Sequence, residues 1–595
     1  MNPPIDPRHH NHGRQLRRLL SMLLAVVLAS TLAALVRPAP AAAAPGDLIL
    51  NGTFDNGSTQ PWWTRLASTS TTVNAGQLRI RTSATVDDPT YEDLVGHFEF
   101  GVTAAQPYRL QFDASADVSR PLRVSVSRAN TPFTSAVDQN VTLTSTMRRF
   151  TFDFASPFGD PRAVLLFHFG GHAASTVRLD NISLTPLAVD PNTDPVLYWN
   201  GILLDTFKGL PLPPTALSRQ AAILHAAMHD AAVSVTGVGN PYRVRVPVSY
   251  PGTMDNVVAP SLHAAIDQAA HDVLTALYDR SFSSAMDRAV ARRPSGVNGA
   301  EVTRGNTVGA AAAAANLQAR TNDGSDNEDP YQVEGVPGSW RPTDGEDAIS
   351  PKWGLVTPFA LTSGDQFRPD LPADAVDYED LLGKQEYVDQ VEEVRAYGAK
   401  GQSLRTSDQT QIAFFWANDL AATYRPPGQL FEHTQIVAKQ RKLGILANAR
   451  LFGLVALALA DAAIAAWDAK YLTEIDLWRP ESAIGGGWQP LSQDTNGVSF
   501  SPAFPAYVSG HATFAGAWAA VMRRFFGTDA IAFDATTDDP HAEGVVRRMS
   551  GFGHAAEENA LSRIYLGVHY RFDAEAGIAT GDAVGAYVYA NRLRP

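Results

Sequence analysis

In the N-terminal quarter of the chain, apolar and polar residues alternate in short runs. Residues 77–81, 108–113, 122–126 and 149–154 each place every second side chain on an apolar face, with Gly, Pro, Asn, Asp and Ser between the runs. Successive side chains of a strand point to opposite faces, so this alternation is that of half-buried strands. Short strands separated by turn residues predict an all-β sandwich over residues 47–188. After residues 189–195, a Pro- and Asp-containing linker, the period changes. Runs at 216–233, 262–278, 309–317, 409–416, 433–442 and 443–470 repeat apolar residues at helical spacing. Several are apolar all round, which predicts burial inside a large all-α helical bundle over 196–595. The expected fold class is therefore multidomain, a jelly-roll sandwich followed by helices. Residues 322–347, rich in Gly, Pro and Asp, are expected to form a surface loop.

The first 45 residues follow another pattern. Arg14, Arg17 and Arg18 precede a mostly apolar run over 19–36, and an alanine- and proline-rich exit follows. That order predicts a signal peptide over 1–43 with cleavage after Ala43, hence a secreted, extracellular protein. The run is also long enough for a marginal membrane anchor, but the small-residue exit fits cleavage. Net charge is −13, which gives nucleic-acid binding no bulk electrostatic support. Cysteine is absent, so thiolate catalysis, disulfides and cysteine-held metals are excluded.

Candidate chemistry concentrates near the C-terminus. Arg563, His569 and Asp573 can form one anion site: a guanidinium fork for tetrahedral oxygens, an imidazole for the central atom, and a carboxylate that fixes the imidazole tautomer. If the segment is helical, His569 and Asp573 share one face. Upstream, Ser509 and Gly510 offer a hydroxyl and a backbone N–H at an expected helix N-terminus, where anions bind. His511 beside them is a candidate acid or base. Lys470 and Arg479 add cations. Elsewhere, His225 and His229 stand one helical turn apart, but the Glu of a His-Glu-x-x-His zinc site is missing, so buried polar contacts are expected. His263 and His271 read as packing or surface residues. Trp62 and Trp63 read as core or rim packing ahead of sugar stacking.

The run of motifs resembles the signature shared by vanadium-dependent haloperoxidases and the type 2 phosphatidic acid phosphatase superfamily. Its third part, Ser-Arg-x5-His-x3-Asp, is present in full at 562–573. In its second part Val508 replaces a proline before Ser509, Gly510 and His511. In its first part eight residues, not six, separate Lys470 from Arg479. Nine steps along a helix point Lys470 and Arg479 to opposite sides, so Lys470 reaches the site only if the helix ends between them. Trp467 and Phe504 match the halide-pocket positions of the chloroperoxidases.

The resemblance implies vanadate bonded to His569 and held by Lys470, Arg479, Ser509, Gly510 and Arg563. His511 would manage protons, with hydrogen peroxide and halide as substrates. The phosphatase alternative uses the same atoms on phosphate esters, with phosphate in the site, His569 as nucleophile and His511 protonating the leaving oxygen. A non-catalytic oxyanion- or glycan-binding protein is the third reading. The site is expected within about residues 440–595. Residues 51–57 and 177–184 resemble the opening and closing strands of carbohydrate-binding modules. That resemblance implies polysaccharide as a partner and a structural calcium, with Asp180 as a ligand.

Overall fold

The computed structural model describes residues 47–595 except 66–69, 83–92, 103–106, 131–132, 157–159, 173, 187–193, 249–257, 294–298, 344 and 402. The expected signal peptide and most of the expected linker lie outside the described residues. Two short segments apart, the chain divides into two compact units between Pro186 and Leu187.

The first unit contains β1 (Trp63–Arg65), β2 (Ser70–Asn74), β3 (Gln77–Thr82), β4 (Leu94–Val102), β5 (Pro107–Ala116), β6 (Arg120–Arg128), β7 (Ser135–Leu143), β8 (Arg148–Ala155), β9 (Asp160–His168) and β10 (Ser175–Pro186). They form two five-stranded sheets, ordered β1-β4-β9-β6-β7 and β2-β3-β10-β5-β8. Strand β10 shows how the alternation is spent. Val177 and Leu179 face inward, then the register against β5 shifts between Asp180 and Ser183, and Ile182 and Leu184 face inward instead. The extra residue is the bulge that resets the period-two pattern. Trp62 is buried, packs against Phe54, His97 and Phe167, and donates its indole N–H to the Asn51 carbonyl at 3.1 Å. Trp63 is half-buried in β1, opposite Gly96 of β4. Asp180 accepts the Asn181 N–H at 2.7 Å. Among the described residues no group of three or more His, Cys, Asp or Glu gathers as a metal site, so the structure adds nothing to the calcium expectation.

The second unit contains α1 (Pro195–Lys208), α2 (Pro214–Thr236), α3 (Val258–Tyr278), α4 (Ser283–Ala291), α5 (Gly299–Gln318), α6 (Tyr378–Gly383), α7 (Gln385–Tyr397), α8 (Ser407–Phe415), α9 (Arg425–Gln440), α10 (Ile445–Tyr471), α11 (Pro480–Ile484), α12 (Gly510–Phe526), α13 (Phe552–Tyr565) and α14 (Arg571–Asn591). The small antiparallel hairpin of β11 (Phe533–Thr536) and β12 (Val546–Met549) was not expected. Asp194 caps α1 through the N–H groups of Val196 and Leu197, so the end of the expected linker already belongs to a helix.

Helix α10 is the centre of this unit. It is long and apolar enough to cross a membrane, but 94% of its most apolar window is buried in the bundle. Against it lies α12, and α12 packs on α14 at backbone distance. A Cβ at Gly577, Gly581 or Gly585 would meet Ser509 O, Thr513 O or Ala517 O at 2.8, 2.2 or 2.4 Å. Glycines four apart form one stripe on α14, and this stripe lets the two helix N-termini approach. The Ser509 N–H donates to the Asp573 carbonyl at 2.9 Å, which ties the two candidate motifs together.

Candidate active site

The segment that carries His569 is not one helix. Helix α13 ends at Tyr565, Gly567 turns the chain at φ +81°, and α14 starts at Arg571. His569 sits in the turn, and Asp573 lies in the first turn of the new helix. The expectation of a shared helix face is therefore corrected, yet the contact forms. Asp573 Oδ2 accepts from His569 Nδ1 at 2.9 Å and from the Tyr570 N–H at 3.0 Å. A helix-start carboxylate thus does two jobs: it receives an otherwise unpaired N–H and fixes the imidazole.

The His569 tautomer follows from its second partner. Arg479 Nη1, a donor, lies 3.1 Å from His569 Nε2, so Nε2 carries the lone pair and Nδ1 the proton. Burial, then Arg479, Lys470 and Arg563, hold the imidazole well below its usual pKa and keep that lone pair available. Burial also pushes Asp573 up to about 7, against the pull of the Tyr570 N–H, Lys470 and Arg479.

Two guanidiniums surround this imidazole. Arg479 donates Nε to Phe504 O and Nη1 to Val568 O, both at 2.7 Å, and its Nη2 is buried with no acceptor among the described residues. Arg563 donates Nη2 to Asp419 Oδ2 at 2.9 Å, while Nε and Nη1 are buried with none among the described residues. Ser509 caps α12, accepting the Ala512 N–H at 3.4 Å, and Gly510 opens that helix. His511 Nε2 lies 3.0 Å from the Ala417 carbonyl. Burial, then Arg563, push His511 down to about 4 against the opposing pull of Asp419 and the Ala417 carbonyl.

Lys470 differs from its expected use. Helix α10 ends one residue after it, so the eight-residue spacing does bring it beside Arg479. Its ammonium, however, gives its three protons to the carbonyls of Pro505 at 2.7 Å, Ala506 at 3.1 Å and Val508 at 2.5 Å. In this structure Lys470 is not a free oxyanion donor; it holds the segment that presents Ser509 and Gly510. Trp467 and Phe504 pack at 5.0 Å between ring centres, tilted by 47°, and line a cleft of about 780 Å³ with Gly510, His511, Arg563 and His569.

Asp419 escaped the sequence reading. It also lines the cleft, bonds Arg563 and approaches His511 at 3.9 Å. Burial works to raise its carboxyl, but Arg563, His511 and Arg425 outweigh burial and hold it below the ordinary value. No local motif marks it, because its partners lie 92 and 144 residues away along the chain. His225 and His229 lie apart from the site. His229 Nε2 meets the Asn240 carbonyl at 3.0 Å; His225 stacks between Phe431 and Phe452 with neither ring nitrogen bonded, so its expected polar contact is corrected to an aromatic one.

A buried imidazole with an unprotonated Nε2, beside guanidinium N–H groups that have no acceptor among the described residues and a helix N-terminus, is a set of groups chemically suited to an oxyanion. Residues 485–594 match the family model of the VCPO second helical-bundle domain, and residues 46–176 match that of a carbohydrate binding domain. Each of the two segments is thus similar to a known domain, the C-terminal one to the bundle domain and the N-terminal one to the carbohydrate binding domain. It is 32% identical over 286 residues to the vanadium chloroperoxidase of Curvularia inaequalis; the match covers 38% of this chain and 46% of that relative. A bacterial vanadium-dependent iodoperoxidase structure aligns with TM-score 0.56 and 24% identity, over 69% of this chain and 99% of the other. A bacterial vanadium-dependent chloroperoxidase in its holo form aligns at 0.53 and 16%, over 64% and 94%. At these identities the two structures speak for the fold.

Proposed function

We propose that the protein is an exported vanadate-dependent haloperoxidase that oxidises halide with hydrogen peroxide to hypohalous acid. The observation that carries the reading is the set of buried donors without acceptors among the described residues, Arg479 Nη2 and Arg563 Nε and Nη1, beside the unprotonated Nε2 of His569, which accepts from Arg479 Nη1. A buried unpaired donor costs about 1–3 kcal/mol, more when charged, so three of them call for a multiply charged oxygen ligand. Donor set and lone pair fit tetrahedral vanadate.

Bound vanadate supplies a Lewis acid that activates hydrogen peroxide for two-electron oxidation of halide without changing its own oxidation state. His569 would hold the metal through Nε2 in place of its bond from Arg479 Nη1, and Asp573 keeps the imidazole proton on Nδ1. Arg479, Arg563, the Ser509 hydroxyl and the Gly510 N–H would hold the oxygens and stabilise their negative charge. His511 gives its Nε2–H to the Ala417 carbonyl, so its Nδ1 is the atom that takes and returns a proton in the cleft. Trp467 and Phe504 form an apolar shelf for a weakly hydrated halide. The N-terminal sandwich tethers the exported enzyme to polysaccharide.

The test is to purify the protein free of phosphate, add orthovanadate, and assay peroxide-dependent halide oxidation beside phosphate-ester hydrolysis. Vanadate-dependent oxidation is expected. Hydrolysis without oxidation would replace the reading by the phosphatase one, in which the same His569 lone pair attacks phosphorus; neither activity would leave an oxyanion-binding protein.

A further inference from the structure

At about 780 Å³ the cleft is far larger than peroxide and a halide ion require, and its lining includes a cation that the proposed chemistry does not use. Arg425 lines the same cleft as His511, Arg563 and His569. It opens α9 at φ +62°, a left-handed conformation that is costly for a residue with a side chain. Asn418 and Ala422 in the same loop are also left-handed, at +44° and +65°. The loop is fixed on both sides: the Asn418 N–H donates to Asp539 at 3.0 Å, and the Tyr424 N–H to Asp538 at 3.0 Å.

The Arg425 guanidinium gives Nη1 to the carbonyl oxygen of Asp419, while Nε is buried with no acceptor among the described residues. The Asp419 carboxylate accepts from Arg563 at 2.9 Å and also attracts Arg425 without a hydrogen bond to it. The lining of the same cleft includes the apolar residues Pro211, Leu212, Pro213, Phe500 and Phe504. Two further carboxylates, Glu346 and Asp494, line the cleft. Asp494 is occupied by the Asn496 and Val498 N–H groups of its own turn, each at 2.8 Å, and Glu346 is exposed.

We infer that Arg425 makes the cleft a binding site for an organic anion with an apolar body, an aryl carboxylate, which is the acceptor of the oxidised halogen. The inference rests on the haloperoxidase reading for the acceptor's role, but the binding itself does not. Arg425 would donate Nε, which has no acceptor among the described residues, to the carboxylate, and the proline and phenylalanine residues of the cleft would cover the ring. The balanced chemistry has two steps. Halide, hydrogen peroxide and a proton give hypohalous acid and water. The aromatic ring then attacks the halogen, the halogen–oxygen bond breaks, a carbon–halogen bond forms, and the ring proton leaves with hydroxide as water.

Calorimetric titration of the full chain with 4-hydroxybenzoate and with 4-hydroxybenzamide tests this. The wild type is expected to bind the acid at least tenfold more tightly than the isosteric amide. Arg425→Met should remove that preference, and Arg425→Lys should restore part of it. In turnover of the vanadate-loaded enzyme, Arg425→Met should raise KM for the acid and not for the amide. Equal wild-type affinity for the two probes overturns the inference without any variant, as does a loss in Arg425→Met that is the same for both. Iodide oxidation without an organic acceptor is measured in parallel. Absence of triiodide alongside selective binding of the acid would sink the haloperoxidase reading and leave the Arg425 site standing.

Discussion

Replacing Arg563 by glutamine separates oxyanion binding from folding. The side chain is 1% exposed, so solvent screens its interactions little. Two of its donors, Nε and Nη1, have no acceptor, and each charge-assisted bond they make to an oxyanion is worth about 1.5–3 kcal/mol. Their loss sums to about 3–6 kcal/mol. At about 1.4 kcal/mol per decade this weakens vanadate binding roughly 150-fold or more. Arg563→Gln also frees the Asp419 carboxylate, 3.9 Å from His511. Arg563 is the main charge that lowers His511, and Asp419 opposes it, so the His511 pKa rises from about 4 in the variant. Any acid limb of turnover set by protonation of His511 then moves to higher pH. Equilibrium dialysis with orthovanadate at pH 8 measures the affinity, and calorimetric melting checks the fold. Binding within threefold of wild type at an unchanged Tm would refute the donor assignment.

Three further outcomes are expected. His569→Ala abolishes vanadate retention, whereas His511→Ala keeps it within about tenfold, the loss of one hydrogen bond of roughly 1.5 kcal/mol, and loses most turnover; dialysis showing the opposite order would reverse the two roles. His225→Leu stabilises the protein, and more so in acid: burial holds His225 at about 3, so between about pH 3 and 6.5 the unfolded chain binds the extra proton and wild-type stability falls with pH. The gain at pH 5 should exceed that at pH 7.5 by about 2 kcal/mol in denaturant titrations, and a pH-independent gain would show that His225 titrates normally in the fold. The full chain is expected to be retained on at least one insoluble polysaccharide; passage through a broad panel would make the sandwich purely structural.

The strands and helices were legible because their periods are local. The runs at 77–81 and 122–126 needed only alternation to become β3 and β6, and the apolar residues of 443–470 needed only helical spacing to become α10. The site motifs were legible for a related reason. Ser509, Gly510, His511, Arg563, His569 and Asp573 sit in two short segments whose residue types already suit an anion. What the sequence could not supply were the choices made between segments. Whether Lys470 faces an oxyanion or three carbonyls depends on where α10 ends and where the 505–508 segment passes. Whether Asp573 meets His569 along a helix or around a turn depends on Gly567 and on the close packing of α12 against α14. Asp419 carries no motif, because its partners His511 and Arg563 come from remote parts of the chain, and Arg425 joins the cleft only through a loop held by Asp538 and Asp539. Periodicity is written into the chain within ten residues, whereas a cleft is written only in the distances between elements.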